Sequence, residues 1–465
     1  MKHSVSDVIE ILKSSNNQVE AEKQLMNYFA EVAGEVMQSA LESIDDELQK
    51  EYKAKGYCME RKDSRTIQFL FGSVTFKRRR MAREGETGCY PLDISCGFEK
   101  GSRYSLLVQR QVAELSSKLV YRGVEKAVGL LTSFSMSHTA VGRIINKVGE
   151  KQREWTRKKL EEQSVSLPEN RKVPYLIIEG DGVVIKGTQK KKKEIHRVQV
   201  CEGVLKNGKR SQLVKPRYFS SMKSSKHAWE QLEKYLSSTY DLEHTIVVSN
   251  TDGGPGYSMD NCSMVIGRCK QHIHFIDRYH VNKKIKSRLA FCKSLERPLK
   301  QAVWDYDWSL VEVILQTAES MADGPQASVQ LEHVVKLRGY LQRNWTYLKK
   351  LEDYSVGLDI QGIGSCESNH RPYSYRMKGN GKYWGDKGSA AMVSIIEGLK
   401  NGTLDQALSE EIPEYMKAYP RDLNRAVRAS LRKIKPTASI GAKKGSIVHA
   451  KKSSFEGALH KAFSA

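Results

Sequence analysis

The chain has 465 residues and a formal net charge of +22. That length suggests roughly three domains of about 150 residues each, and the charge points to a polyanionic partner, nucleic acid foremost. Eight cysteines make no dense disulfide framework, no run reaches the ~18 apolar residues of a membrane helix, and the opening MKHSVSDVIEILK mixes acids into its apolar residues, unlike a signal peptide; a soluble cytoplasmic protein without membrane contact is expected.

In residues 1–50, Leu25, Phe29, Val32, Val36, Ala40, Ile44 and Leu48 recur at helical spacing. This predicts a core-facing helix, with a dimerisation helix as the alternative. Residues 66–80, TIQFLFGSVTFKRRR, alternate Ile67, Phe69 and Phe71, then Val74 and Phe76, around Gly72-Ser73. They predict a β-hairpin ending in a basic cluster, Lys77, Arg78, Arg79 and Arg80, suited to phosphate. Cys89 and Cys96, with only Cys58 nearby, make a poor zinc pattern. Three helices are expected at 104–119, 124–131 and 137–148, the last capped by Ser137 and carrying Val141, Ile144, Ile145 and Val148 inward. This is a helix-turn-helix pattern in which Thr139, Arg143, Asn146 and Lys147 would face DNA; a plain helical subdomain is the alternative. Residues 154–169 read as a helical linker.

The next stretch, PYLIIEGDGVVIK, runs from apolar strand residues into Glu179 and Asp181 between glycines. The pattern returns in TIVVSNTDGGPGY, where a second run ends in Asp252. Glycine lets a backbone pass close to a ligand, or bulge, and a sheet-borne carboxylate needs a cation or a hydrogen-bond network. Strands are expected at 175–184, 196–204, 210–219, 245–249 and 270–276, with a helix at 227–236. The order βββαβ, a short segment, then β, describes a ribonuclease H-like mixed sheet, giving an α/β core within an α+β chain. Residues 281–354 carry only helical spacing and read as an all-helical insertion. A helix is expected near 389–399, and from Arg421 the tail holds 11 basic against 2 acidic residues, as a phosphate-binding arm would. The segments are thus 1–60, 61–150, 171–280, 281–355, 356–420 and 421–465.

Asp181, Asp252 and Glu367 form a candidate carboxylate triad. Oxygen ligands suit Mg²⁺ or Mn²⁺, and two such ions can clamp an in-line displacement at phosphorus. Glu352, Asp353, Asp359 and Glu397 compete for the third place. Glu367 is preferred because His370, Arg371, Arg376, Lys378, Lys382 and Trp384 follow it, as beside a DNA end. Trp384 would stack on an unpaired base or sit in a core. Cys269, His272, His274, Asp277 and His280 allow a zinc site, but no paired CxxC completes a tetrahedral set. Packing and hydrogen bonding beside the active site is the expected role.

The stretches EGDGVVIKG, SNTDGGPGY, CKQHIHFIDRYHVNKK and CESNHRPYSYRMKGNGKYW resemble an insertion-sequence DDE transposase of the ISLre type. The hairpin FGSVTFKRRRM and the helices YRGVEKAVGLL and SFSMSHTAVGRI extend the resemblance over nearly the whole chain. It implies a ribonuclease H-like catalytic domain with a helical insertion before the Glu, and metal-dependent cutting and joining of element ends. Asp181, Asp252 and Glu367 then become the catalytic, metal-holding triad, with two Mg²⁺ or Mn²⁺ ions. A CxxH signature of Mutator-like relatives falls on Cys269 to His272, and Cys269, His272, Asp277, His280 and His370 would support the site. The implied partner is double-stranded DNA, both terminal inverted repeats and target, bound by a homodimer or larger oligomer at the bacterial nucleoid. Two alternatives stay open: a hydrolytic ribonuclease H-like nuclease without strand transfer, and an inactive helix-turn-helix regulator.

Overall fold

The computed structural model describes residues 4–165, 169–208, 210–354, 363–379 and 381–409. The basic tail and Asp359 lie outside them. The described residues form two compact units, 4–105 with 132–134, and 106–131 with 135–409. The expected 61–150 segment is therefore divided: its hairpin belongs to the first unit and its helices to the second.

In the first unit the single expected helix is two. Helix α1 (Val5–Ser14) opens on a reciprocal capping box between Ser4 and Asp7. Helix α2 (Gln18–Ala54) opens on Asn17, whose side chain accepts the Glu20 N–H at 2.9 Å. Strands β1 (Cys58–Phe69) and β2 (Gly72–Ala82) pair antiparallel with Ile67 opposite Val74 and Phe69 opposite Gly72. The turn is therefore Leu70-Phe71, two residues before the expected Gly72-Ser73. This register puts Ile67, Val74 and Phe76 on one face, where they pack with Leu41 and with Leu92 of α3 (Pro91–Ser95); a one-residue slip would turn them all outward. Phe29, expected to face the core, is 55% exposed.

The second unit begins with α4 (Leu106–Ser116), α5 (Tyr121–Leu131) and α6 (His138–Val165). Helix α6 continues into the expected linker as far as Val165. The unit's centre is a mixed five-stranded sheet in the order β7-β4-β3-β8-β9, built from β3 (Tyr175–Lys186), β4 (Lys192–Cys201), β7 (Arg217–Ser221), β8 (Ile246–Thr251) and β9 (Gln271–Ile276). Strand β4 is antiparallel to β3 and β7, whereas β3, β8 and β9 are parallel. The expected third strand at 210–219 is two: β6 (Arg210–Leu213) pairs with β5 (Val204–Asn207) in a separate ribbon, and only β7 joins the sheet. One apolar face, with Leu176, Ile178, Val198 and Phe219, packs on α7 (Ser225–Thr239) and α8 (Met259–Ile266) through Trp229, Leu232 and Cys262.

After β9 come α9 (Arg278–Arg288), α10 (Glu296–Trp304), α11 (Trp308–Ser320) and α12 (Ala327–Asn344). They share a core that includes Ile285, Leu299, Leu315, Leu337 and Leu341, matching the expected all-helical block. The described chain closes with α13 (Cys366–Asn369), α14 (Arg371–Met377), α15 (Asp386–Asn401) and α16 (Leu404–Ser409). A Cβ on Gly149 of α6 would lie 2.4 Å from the Ala391 Cα of α15, so glycine there lets the two helices touch. No described helix is long and apolar enough to cross a membrane.

Candidate active site

Asp181 and Asp252 reach one place through strand pairing alone. Strands β3 and β8 run parallel with Gly180 opposite Thr251, so the next residue along each is an aspartate, Asp181 within β3 and Asp252 just past the end of β8. Strand alternation turns Asp181 away from its neighbour Gly180. The Gly180 face is filled, since a Cβ there would lie 2.9 Å from Trp229 and 3.0 Å from Tyr257. That glycine makes room for the protein's own rings, not for a ligand as the sequence suggested.

Asp181 is 6% exposed. Its Oδ1 accepts the Gly182 N–H at 2.6 Å, and its Oδ2 stands 3.4 Å from His280 Nε2 and 3.8 Å from His370 Nδ1. Asp252 Oδ1 accepts the Gly254 N–H at 2.8 Å. The two carboxyls are pushed in opposite directions. Burial raises Asp181, but hydrogen bonding to His280, the charges of His370 and His280, and the Gly182 N–H more than offset it, so Asp181 lies below the ordinary carboxylate range. Asp252 lies above, through burial first and also the Asp181 charge, against the Gly254 N–H, His280 and Lys284. His280 is raised, chiefly by Asp181. His370 is driven down to about 3, by burial and then Arg197, against the Asp181 charge. Two adjacent acids of divided affinity are the arrangement expected where a cation or a proton is to be exchanged.

Glu179, the other acid of the glycine stretch, is structural. Buried at 1% exposure, it accepts the Ser365 N–H at 2.9 Å and Gln199 Nε2 at 2.6 Å, and also bonds the Gly364 N–H and the Ser365 hydroxyl. This tether fixes the segment leading into α13, the helix that carries Glu367 in its backbone; the side chain of Glu367 lies outside the described residues. Of its competitors, Glu352 and Asp353 are exposed on a short turn, and Glu397 is buried in α15 against Ser220. Among the described residues no group of three or more His, Cys, Asp or Glu could hold a metal ion.

The model of an uncharacterised protein family, UPF0236, matches residues 12–411. The chain belongs to this family. It is also 35% identical over 434 residues, 92% of each chain, to a protein of Streptococcus gallolyticus described as "UPF0236 protein in vanSb 3'region".

In this UPF0236 chain the CxxH region forms a hydrogen-bonded knot. His272 Nε2 and His274 Nδ1 each lie 2.7 Å from the Ser249 hydroxyl, and His272 Nδ1 lies 3.1 Å from that of Ser263. The two histidines share one face of β9, as strand periodicity requires. Burial lowers both, His274 to about 4. Cys269 packs at the edge of the sheet core. Asp277 caps α9, accepting the Tyr279 N–H at 2.9 Å, and thereby aims the helix that brings His280 to Asp181.

Several basic residues expected on DNA are committed elsewhere. Arg79 pairs with Asp45 and Asp46 at 2.7 Å, Arg78 with Asp93, and Arg80 with Glu60; of the hairpin cluster only Lys77 is exposed. Arg376 and Trp384 are 4% and 6% exposed. The Arg376 guanidinium lies against the Tyr121 and Trp384 rings and bonds the Ser116 carbonyl. Trp384 Nε1 donates to the Met377 carbonyl at 3.0 Å. Both belong to the core, a correction to the DNA-facing reading. Arg143 and Lys378 are exposed and Lys147 is half-buried.

Sequence reading missed Lys284, one helical turn beyond His280. The i, i+4 spacing in DRYHVNKK puts both on one face of α9, which is a signal the sequence does contain.

Proposed function

We propose that this protein is a transposase that binds the ends of a DNA element and catalyses divalent-cation-dependent strand cleavage and strand transfer. The observation that carries the reading is the placement of Asp181, within β3, beside Asp252, one residue past the end of the neighbouring parallel strand β8. They lie in a sheet of order β7-β4-β3-β8-β9 whose β4 alone runs against its neighbours within β4-β3-β8-β9, an order and direction that fit a ribonuclease H-like fold. The net charge of +22 supports a DNA partner, and the pair α5 and α6, with exposed Arg143 on α6, supports a helix-turn-helix reader.

Asp181 and Asp252 supply part of an oxygen donor set that suits Mg²⁺ or Mn²⁺, and Glu367 would complete it. A cation held there would polarise the reacting phosphate and lower the pKa of an attacking hydroxyl. The chain's own residues prepare the site. Glu179 tethers the α13 segment to β3. His280 places positive charge beside Asp181, which keeps that carboxylate ionised. His370, buried, fills the space beside the same oxygen. Cleavage exchanges one phosphorus–oxygen bond for another, and the displaced 3′ oxygen takes up a proton.

The test is strand nicking, joining and gel shift on one end-containing duplex, with Mg²⁺ or Mn²⁺. Asp181→Ala, Asp252→Ala and Glu367→Ala should each abolish cutting and joining while DNA binding persists or tightens, because each removes one negative charge. Cleavage without joined products would make the protein a hydrolytic nuclease. DNA binding with neither reaction, by wild type, would make it a regulator. Glu367→Ala cutting at the wild-type rate would remove Glu367 from the site.

A further inference from the structure

We infer that Lys284, Arg343 and the Tyr340 hydroxyl form a phosphate-binding subsite beside Asp252, which holds a DNA backbone phosphate next to the reacting one. The inference rests on the nucleic-acid reading above and assigns part of its binding to the helical block.

Two helices of that block meet at the Asp252 loop. A Cβ on Gly253 would lie 3.4 Å from Asn344 Oδ1 and 2.8 Å from Ile276 Cδ1, so the end of α12 lies directly against the loop that carries Asp252. Asn344 in turn donates to the Tyr340 carbonyl at 2.8 Å. Tyr340 is 7% exposed, yet its hydroxyl has no hydrogen-bond partner among the described residues. A buried hydroxyl left unpaired is costly, and native structures rarely keep one without a use. The Tyr340 ring also carries a cation: the Lys284 ammonium lies 3.6 Å from its centroid.

The cations beside this tyrosine are not paired. Lys284 and Arg343 are exposed, and among the described residues neither has a carboxylate within 4 Å. Of the charges that act on Lys284, Asp252 attracts it, and Arg288 and Arg343 repel it. Two exposed cations outside any ion pair, one of them on the ring of an unused donor, favour a multivalent anion with several acceptor oxygens. Phosphate meets that description, and a lone carboxylate meets it less well. Because the cluster adjoins Asp252, the phosphate it holds lies beside the one that reacts.

The experiment is a salt titration of duplex-DNA binding by the full chain, read by fluorescence anisotropy without divalent cation so that no strand is cut. Lys284→Gln and Arg343→Gln should each lower the slope of log affinity against log salt by about 0.9, the value for one lost phosphate contact. Lys284→Arg should restore it. Tyr340→Phe, which keeps the ring, should weaken binding several-fold with the slope unchanged. If Lys284 serves only to offset Asp252, Lys284→Gln will alter thermal stability and leave the slope untouched, which overturns the subsite. Wild-type slopes in both glutamine variants, with wild type binding DNA, sink the subsite and leave the function standing. A wild-type protein that binds no DNA overturns both.

Discussion

Glu397 offers the sharpest test of how this site divides its carboxylates. It competes with Glu367 for the third acidic place, but it is 5% exposed in α15. Burial pushes its carboxyl up, against Ser220 hydrogen bonds and the charges of Arg197 and Arg217, to about 8. It is therefore protonated near pH 7, a state that suits packing and not cation binding. Glutamine copies the shape and neutrality of that protonated acid, so Glu397→Gln should fold and should cut DNA at close to the wild-type rate.

The pH dependence then follows. The folded state holds a proton that the unfolded chain releases near its ordinary 4.5. The stabilisation is fully present below pH 4.5, declines as pH rises, and is gone above about 8. The gap between those two values corresponds to ~5 kcal/mol at 1.36 kcal/mol per pH unit, of which ~3 kcal/mol is lost by pH 7. Lys400, three residues on, is driven down to about 7 by burial and Arg197. It adds stability with the opposite slope above pH 7, so the comparison belongs below that. Urea midpoints at pH 5, 6 and 7, followed by circular dichroism, should fall for wild type relative to Glu397→Gln. Parallel curves would refute the protonated-acid account. A folded Glu397→Gln protein without nicking activity would make Glu397 the third catalytic carboxylate.

Gly180→Ala should destabilise the second unit by ~1–3 kcal/mol, as overpacking does, because its methyl would press on Trp229 and Tyr257; an unchanged denaturant midpoint would contradict the packing. Cys269→Ser should change stability without releasing metal, since His272 and His274 spend their bonds on Ser249; one zinc per chain by elemental analysis, lost on substitution, would reverse that.

What the sequence made legible here was local. Asp181 and Asp252 each follow an apolar run within a few residues, and two parallel strands in register need nothing more to bring them together. The helical block was legible for the same reason, since its spacing is an internal property of each helix. Charge was the misleading signal. Lys77 to Arg80 looks like a free cationic edge when read along the chain, but Asp45, Asp46, Glu60 and Asp93 lie outside that window and take three of its four cations. Arg376 and Trp384 misled likewise, because a guanidinium between two rings is equally at home in a core.

The converse error explains Lys284. A lysine within a basic helix attracts no notice, and its partner ring, Tyr340, lies 56 residues away by the difference of their numbers. Only the fold reveals that this cation borders Asp252 while acids elsewhere quench more conspicuous clusters. For a chain of this charge the informative quantity is therefore not how many cations a segment carries. It is which of them remain without a carboxylate once the chain has folded. By that measure the helical block does more than separate β9 from α13. It brings exposed positive charge to an acidic pair that would otherwise repel the polyanion it is proposed to cut.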